Sequence, residues 1–117
     1  MNHTPDANNL SGFHALDIAL ELIRRLRPII TKIRKHDRNE ADQLQQAANS
    51  IARNLSEGRR RLGGDRRNLW SYASGSTDEA HTTVLIAHAN GWIDDADYDS
   101  VKDLFDRELA VTWRLTH

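Results

Sequence analysis

The sequence predicts an all-α protein, an antiparallel up-down four-helix bundle. Three observations lead there. Apolar residues recur every three or four positions in four successive segments, as in helices that each bury one face. Short polar or glycine-bearing stretches separate those segments, and such connections place consecutive helices side by side and antiparallel. No segment alternates as a half-buried strand does. A chain of 117 residues supports one domain with one modest core.

Residues 1–12 read as a flexible tail, because Asn, Asp, Pro and Gly dominate them and they bury too little apolar surface to offset their ordering entropy. The bundle domain follows over 13–117. Its first helix is expected from about Phe13 to Lys35, capped by Ser11, with Phe13, Leu16, Ala19, Leu20, Ile23, Leu26, Ile30 and Ile33 as its apolar stripe. Pro28 lies inside it and predicts a kink near Arg25 to Arg27, since proline removes a backbone donor and crowds the preceding turn. HDRN, residues 36–39, is the turn, and Asn39 can cap the second helix. That helix buries Leu44, Ala47, Ala48, Ile51 and Leu55 and stops at Gly58.

Asp65 is the expected cap of the third helix, from about Arg66 to Asn90, with Leu69, Trp70, Ala73, Ala80, Val84, Leu85, Ala87 and Ala89 as its apolar positions. Gly75 interrupts it at a cost of about 1 kcal/mol relative to alanine, which predicts close contact with another backbone. Gly91 ends the helix and Trp92-Ile93 pack the turn. The fourth helix starts at Asp94 or Asp95, where aspartates suit a helix N-terminus. It presents Val101, Leu104, Phe105, Leu109, Val111 and Leu115.

The chain has no cysteine, which excludes a disulfide framework, a thiolate metal site and a cysteine nucleophile. The segment MNHTPDANNLSG lacks the apolar centre of a signal peptide, and no apolar run approaches the roughly 20 residues that span a bilayer. A soluble cytoplasmic protein without a membrane partner is expected. The formal net charge of −1 hides a segregation. Residues 1–23 carry three acids and no Lys or Arg, net −3; residues 24–67 carry 13 Lys and Arg against five acids, net +8; residues 68–117 carry three against nine, net −6. A basic and an acidic surface follow. The basic one can meet nucleic acid or the acidic surface of another copy.

Its candidate contacts form two groups. Arg24, Arg25, Arg27, Lys32, Arg34, Lys35 and Arg38 line the first helix and its exit; Arg59, Arg60, Arg61, Arg66 and Arg67 flank the second turn. Arginine outnumbers lysine, which suits bidentate contact with phosphate or carboxylate. In an up-down bundle these groups lie at opposite ends, as a stripe or two patches. Other chemistry is poorly supported. Asp78 and His81 make a single D-x-x-H with no second copy, and His81 and His88 stand two turns apart, about 10 Å, too far to share one ion. No metal, no cofactor and no catalytic residue is expected. Glu57 and Glu79 could form an acid–base pair, but a polar network of Asn54, Glu57, Tyr72, Ser76 and Glu79 locking the second helix to the third is the better expectation, since each set shares one helical face.

The string QLQQAANSIARNLSEG carries an A-x-S-I-x-x-N-[IL]-x-E-G core on Ala48, Ser50, Ile51, Asn54, Leu55, Glu57 and Gly58. YASGSTDE carries an A-x-G-S-x-x-E core on Ala73, Gly75, Ser76 and Glu79, and a Gly-Trp-Ile turn follows at Gly91 to Ile93. With these two cores in this order, the chain from about Phe13 onward resembles the four-helix-bundle proteins of the bacterial rRNA intervening-sequence family. Gln45-Gln46 depart from the arginines common before the Ala-Ala pair. LRPIITKIRKHDR, residues 26–38, is also similar to a proline-containing basic stretch of the diversity-generating retroelement accessory protein, which shares the fold. The resemblance implies a homopentamer of bundles and does not imply an enzyme, and none is expected. Its retroelement branch implies RNA or DNA and a reverse transcriptase as partners, while the intervening-sequence family leaves the molecular role open.

Overall fold

The structure is a computed structural model that describes residues 11–117; residues 1–10 of the expected tail lie outside it. Four helices form: α1, His14–Arg34; α2, Arg38–Arg59; α3, Gly63–Ala89; and α4, Asp95–Thr116. There is no strand among the described residues. Each helix packs on its chain neighbours, and α1 meets α4 to close the bundle. The core is one cluster built on Leu22, Leu26, Ile29 and Ile33 of α1, Leu44, Ile51 and Leu55 of α2, Val84 of α3, and Val101 and Phe105 of α4. From α3 come mainly small residues, Ala73, Thr77, Ala80, Thr83 and Ala87, so its neighbours can approach its backbone closely. Thr77 and Thr83 each return their hydroxyl to the carbonyl four residues back, at 2.8 and 3.1 Å, which satisfies a polar group that has no water to meet.

Several helix ends differ from expectation. Asp37, not Asn39, caps α2 by accepting from the Glu40 amide at 3.0 Å. Leu62, not Asp65, is the N-cap of α3 and offers no side-chain acceptor. Ser11 is not the cap of α1, whose N-cap is Phe13; it accepts from the Phe13 amide and donates to the Asp17 carboxylate at 2.6 Å. Asp94 does cap α4, in a capping box closed by Asp97. In αL conformation, Gly91 ends the third helical segment as expected, with φ +75°.

The phase of α1 is also rotated. Ala15, Ile18, Ala19, Leu22, Leu26, Ile29 and Ile33 are buried, while Leu16, Leu20, Ile23 and Ile30 are only partly so. Apolar residues cover so much of this helix that spacing alone leaves its inward direction open; the flanking α2 and α4 decide it. The helix runs unbroken through Pro28.

Gly58 and Gly75 exchange roles relative to expectation. Gly58 does not stop α2. It lies inside the helix, where a Cβ would fall 2.6 Å from two atoms of the Trp70 indole. At Gly75 a Cβ would meet nothing within 4 Å, so the close backbone contact expected there is absent. Gly75→Ala is therefore expected to raise stability by about 0.5–1 kcal/mol, the difference in helix propensity. Urea denaturation checks it, and a loss of stability would contradict it.

Candidate nucleic-acid interface

The up-down topology gathers the N-terminus of α1, the C-termini of α2 and α4 and the N-terminus of α3 at one end of the bundle. The α2–α3 junction brings five arginines there, in three environments. Arg66 donates to the Gly58 and Arg59 carbonyls at 3.1 and 3.0 Å and lies 5.1 Å from the Trp70 ring centroid. It thus gives the Arg59 carbonyl a donor and the Gly58 carbonyl, which also accepts from the Arg61 amide at 3.1 Å, a second one, at a helix end where a cation is favoured. Arg59 donates to the Ser11 carbonyl at 3.1 Å and lies 5.2 Å from the Phe13 ring centroid, pinning the chain before α1. Arg61 pairs with Glu57 at 2.7 Å, and that hydrogen bond holds the Glu57 carboxyl below its ordinary range. Arg60 and Arg67 are exposed and have no ion-pair partner among the described residues.

The partners of Arg59 and Arg66 are neutral carbonyls, so both keep a full positive charge at this end. With Glu57 and Asp65 as the acids of the 57–67 segment, its five arginines leave it net positive. The first amides of α3, on exposed Gly63 and Gly64, have no side-chain cap. Guanidinium groups beside open helix amides suit phosphate oxygens.

The basic group on α1 has a different fate. Arg24 and Arg25 both reach Glu21, at 2.9 and 2.8 Å, and the Arg25 bond is the main influence lowering the Glu21 carboxyl. Lys32 meets Asp97 of α4 at 2.9 Å, which raises the lysine. Burial works to raise Asp97, but Lys32 and the Asp94 amide outweigh it. Arg34 pairs with Asp42 at 2.7 Å. Arg27, Lys35 and Arg38 are exposed without such a pair among the described residues. At this end the acids Asp94, Asp95, Asp97 and Asp99 of α4 lie beside the basic exit of α1, so its field is largely neutralised within the chain. The two basic groups are at opposite ends, and only the α2–α3 end retains an excess.

The expected network forms in part. Ser76 donates to the Ser50 hydroxyl at 2.9 Å, and Asn54 donates to the Ser50 hydroxyl and carbonyl at 2.9 Å. Glu57, Tyr72 and Glu79 stand outside it. Tyr72 is 62% exposed. Glu57 and Tyr72 line one surface groove with Arg61 and Asp65, while Glu79 lines another with Glu40, Gln43, Gly75 and Asp78. Glu57 and Glu79 do not meet. One shared helical face spans an arc wide enough to hold both the Ser50 contact and these solvent-facing groups, so spacing could not separate them.

One residue escaped the sequence reading. Glu108 of α4 is completely buried, and neither carboxylate oxygen has a hydrogen-bond partner among the described residues. Its position could have been flagged, for it follows Val101 by seven residues and Leu104 by four, in phase with the core. Desolvation pushes its carboxyl up to about 8. No three His, Cys, Asp or Glu converge among the described residues. No helix among them is long and apolar enough to cross a membrane.

The bundle has counterparts among known proteins. A solved structure from Bacteroides thetaiotaomicron, described as a protein of unknown function from the S23 ribosomal protein family, matches with a TM-score of 0.79 at 15% identity, covering 87% of this chain and 97% of that one. At that identity the likeness concerns the fold. A search of the curated proteins finds no match. Residues 14–112, all four helices nearly complete, match the 23S rRNA-intervening sequence protein family. The chain therefore belongs to the 23S rRNA-intervening sequence protein family.

Proposed function

We propose that this is a non-enzymatic cytoplasmic protein that binds the phosphate backbone of RNA or DNA through the arginine-rich α2–α3 end, working as a homopentamer in which several such ends act together. The observation that carries this reading is the exposed pair Arg60 and Arg67, without an ion pair among the described residues, beside Arg59 and Arg66, which are held by neutral carbonyls. Arginines pre-ordered in this way lose little side-chain freedom when they meet phosphate. The family's name supports RNA as the polymer. A reverse transcriptase remains the protein partner proposed for the retroelement branch.

Fluorescence anisotropy with a labelled single-stranded RNA and a duplex DNA tests it. Binding is expected to weaken steeply between about 50 and 200 mM salt, as counterion release requires. Arg60→Glu with Arg67→Glu is expected to weaken binding at least tenfold and to flatten the salt slope by about one for each phosphate no longer neutralised. Arg34→Glu, at the neutralised end, is expected to change it far less. Absence of binding to either polymer at low salt would defeat the proposal.

A second reading is favoured by a specific feature. The groove of about 420 Å³ between α2 and α3 presents Glu40, Asp78 and Glu79, none of them in an ion pair among the described residues. It complements the arginine end of another copy. Under that reading, the Arg60 and Arg67 reversals would lower the oligomer mass in light scattering while nucleic acid had no effect.

A further inference from the structure

We propose that Glu108 is a proton-controlled latch on α4: the helix docks with this carboxyl neutral, and ionisation releases its C-terminal half from α1 and α3. The side chain is wholly buried and both oxygens lack partners among the described residues. Its neighbour one turn on, Thr112, is also buried, but spends its hydroxyl on the Glu108 carbonyl at 2.7 Å. Among the described residues no polar group is bonded to the carboxyl that could hold a negative charge, and an unpaired charge in such a place is expelled or neutralised.

Ionisable groups on the other three helices leave the carboxyl without a counter-charge. The Lys32–Asp97 pair and the Arg25 bond to the Ser100 carbonyl set the register of α1 against α4. By helical rise, Glu108 then lies level with about residues 17–21 of α1. The ionisable groups there are Asp17, bonded to Ser11, and Glu21, bonded to Arg24 and Arg25. On the α3 side, the His88–Asp95, His81–Tyr98 and His81–Phe105 contacts put about residues 71–78 at its level. Of those, Tyr72 and Asp78 are exposed. His81 is further along and stacks on Phe105 at 4.9 Å. Across the bundle on α2, Arg53 and Glu57 are exposed. Burial is the one cause of the Glu108 shift, which takes the carboxyl up to about 8.

The release would be local for a structural reason. The polar ties from α4 to its neighbours at Asp95, Asp97, Tyr98 and Ser100 all belong to its first turns. From Val101 onward, packing of Val101, Leu104, Phe105 and the half-buried Val111 and Leu115 does the holding. That half of α4 ends at the same end of the bundle as the five arginines, so its release would reshape that surface as pH rises.

Two measurements on the full chain decide the matter. A carbon-13 NMR titration of the Glu108 carboxyl is expected to show a midpoint near 8. Hydrogen exchange, corrected for intrinsic rates, is expected to show protection across residues 101–116 falling about tenfold per pH unit from pH 5 to 8, while α2 changes less. In Glu108→Gln this fall is expected to vanish. If that variant does not fold, Glu108→Leu serves the same comparison, and the wild-type titration stands alone. A carboxyl titrating in the ordinary glutamate range, or equal pH dependence of α4 protection with and without the carboxyl, would overturn the latch.

Discussion

At pH 8, Glu108→Leu is expected to stabilise the folded protein by about 4 kcal/mol or more, and the gain is expected to shrink toward pH 5. The sign follows from where the proton binds. The folded-state carboxyl is raised to about 8, whereas a glutamate in the unfolded chain titrates near 4.3–4.5. Below the unfolded value both states are protonated and the group costs nothing through ionisation. Between the two values the unfolded chain gains a favourable ionised state that the folded chain forgoes. Each pH unit then removes about 1.4 kcal/mol of stability. The loss is complete once pH passes the folded value.

Leucine has nearly the same size and no proton to lose, so it escapes this penalty. It also removes two buried oxygens without partners, a cost of about 1–3 kcal/mol at every pH. Denaturant melts of both proteins at pH 5, 6.5 and 8 read the difference directly. The difference between the two curves isolates Glu108 from the histidines and the other carboxylates. A constant difference across that range would show that the carboxyl does not carry the pH dependence. Against a typical total of about 5–15 kcal/mol, such a change is large.

Gly58→Ala is expected to destabilise by about 1–3 kcal/mol net, the opposite sign to a glycine-to-alanine change inside a helix. Propensity alone favours alanine by about 1 kcal/mol. At this site the added methyl would stand 2.6 Å from Trp70 Cδ1 and Nε1 and 3.3 Å from Leu69 Cβ. The indole has little room to retreat. Its N–H donates to the Leu55 carbonyl at 3.2 Å, its ring packs on Phe13 with centroids 5.6 Å apart, and Arg66 lies over it. Moving it costs packing of about 1–3 kcal/mol and a hydrogen bond of about 1 kcal/mol. Because the same shift disturbs Arg59 and Arg66, loss of tryptophan burial in fluorescence should accompany the fall in stability. A stabilised Gly58→Ala protein would mean that Trp70 does not pack as described.

These two residues mark where sequence patterning runs out. Glu108 and Gly58 both sit at positions whose phase is plain from spacing, yet neither role is a property of phase. Glu108 interrupts an apolar face with a group that patterning assigns to the surface. Gly58 follows a run that reads as a helix end, and only the approach of an indole from α3 shows why no larger residue suits it. The Gly75 expectation failed for the converse reason. A glycine inside a helix signals that a side chain is absent, and the partner that would occupy the vacated space is set by another helix.

The basic surface shows the same division. Arg59 to Arg61 and Arg66 to Arg67 are adjacent in the chain, so their clustering at one helix junction was legible from the order of residues. That Arg59 and Arg66 bind carbonyls, that Arg61 is matched by Glu57, and that Arg60 and Arg67 remain open depended on three-dimensional neighbours. Glu21 meets Arg24 and Arg25 from within one helical turn, but the acid that quenches Lys32 lies on α4, and no local pattern pairs positions 65 residues apart.

The sequence by itself determined the number, order and approximate extent of the helices, their antiparallel packing and the family. Helical periodicity and short connections act over a few residues, and the family cores are contiguous strings. Tertiary structure decided the inward face of α1, the caps of α2 and α3, the two glycine roles, the open arginines and the buried carboxyl. Each depends on what an adjacent helix presents at one height in the bundle, and that height is set only when all four helices settle into register around a shared core.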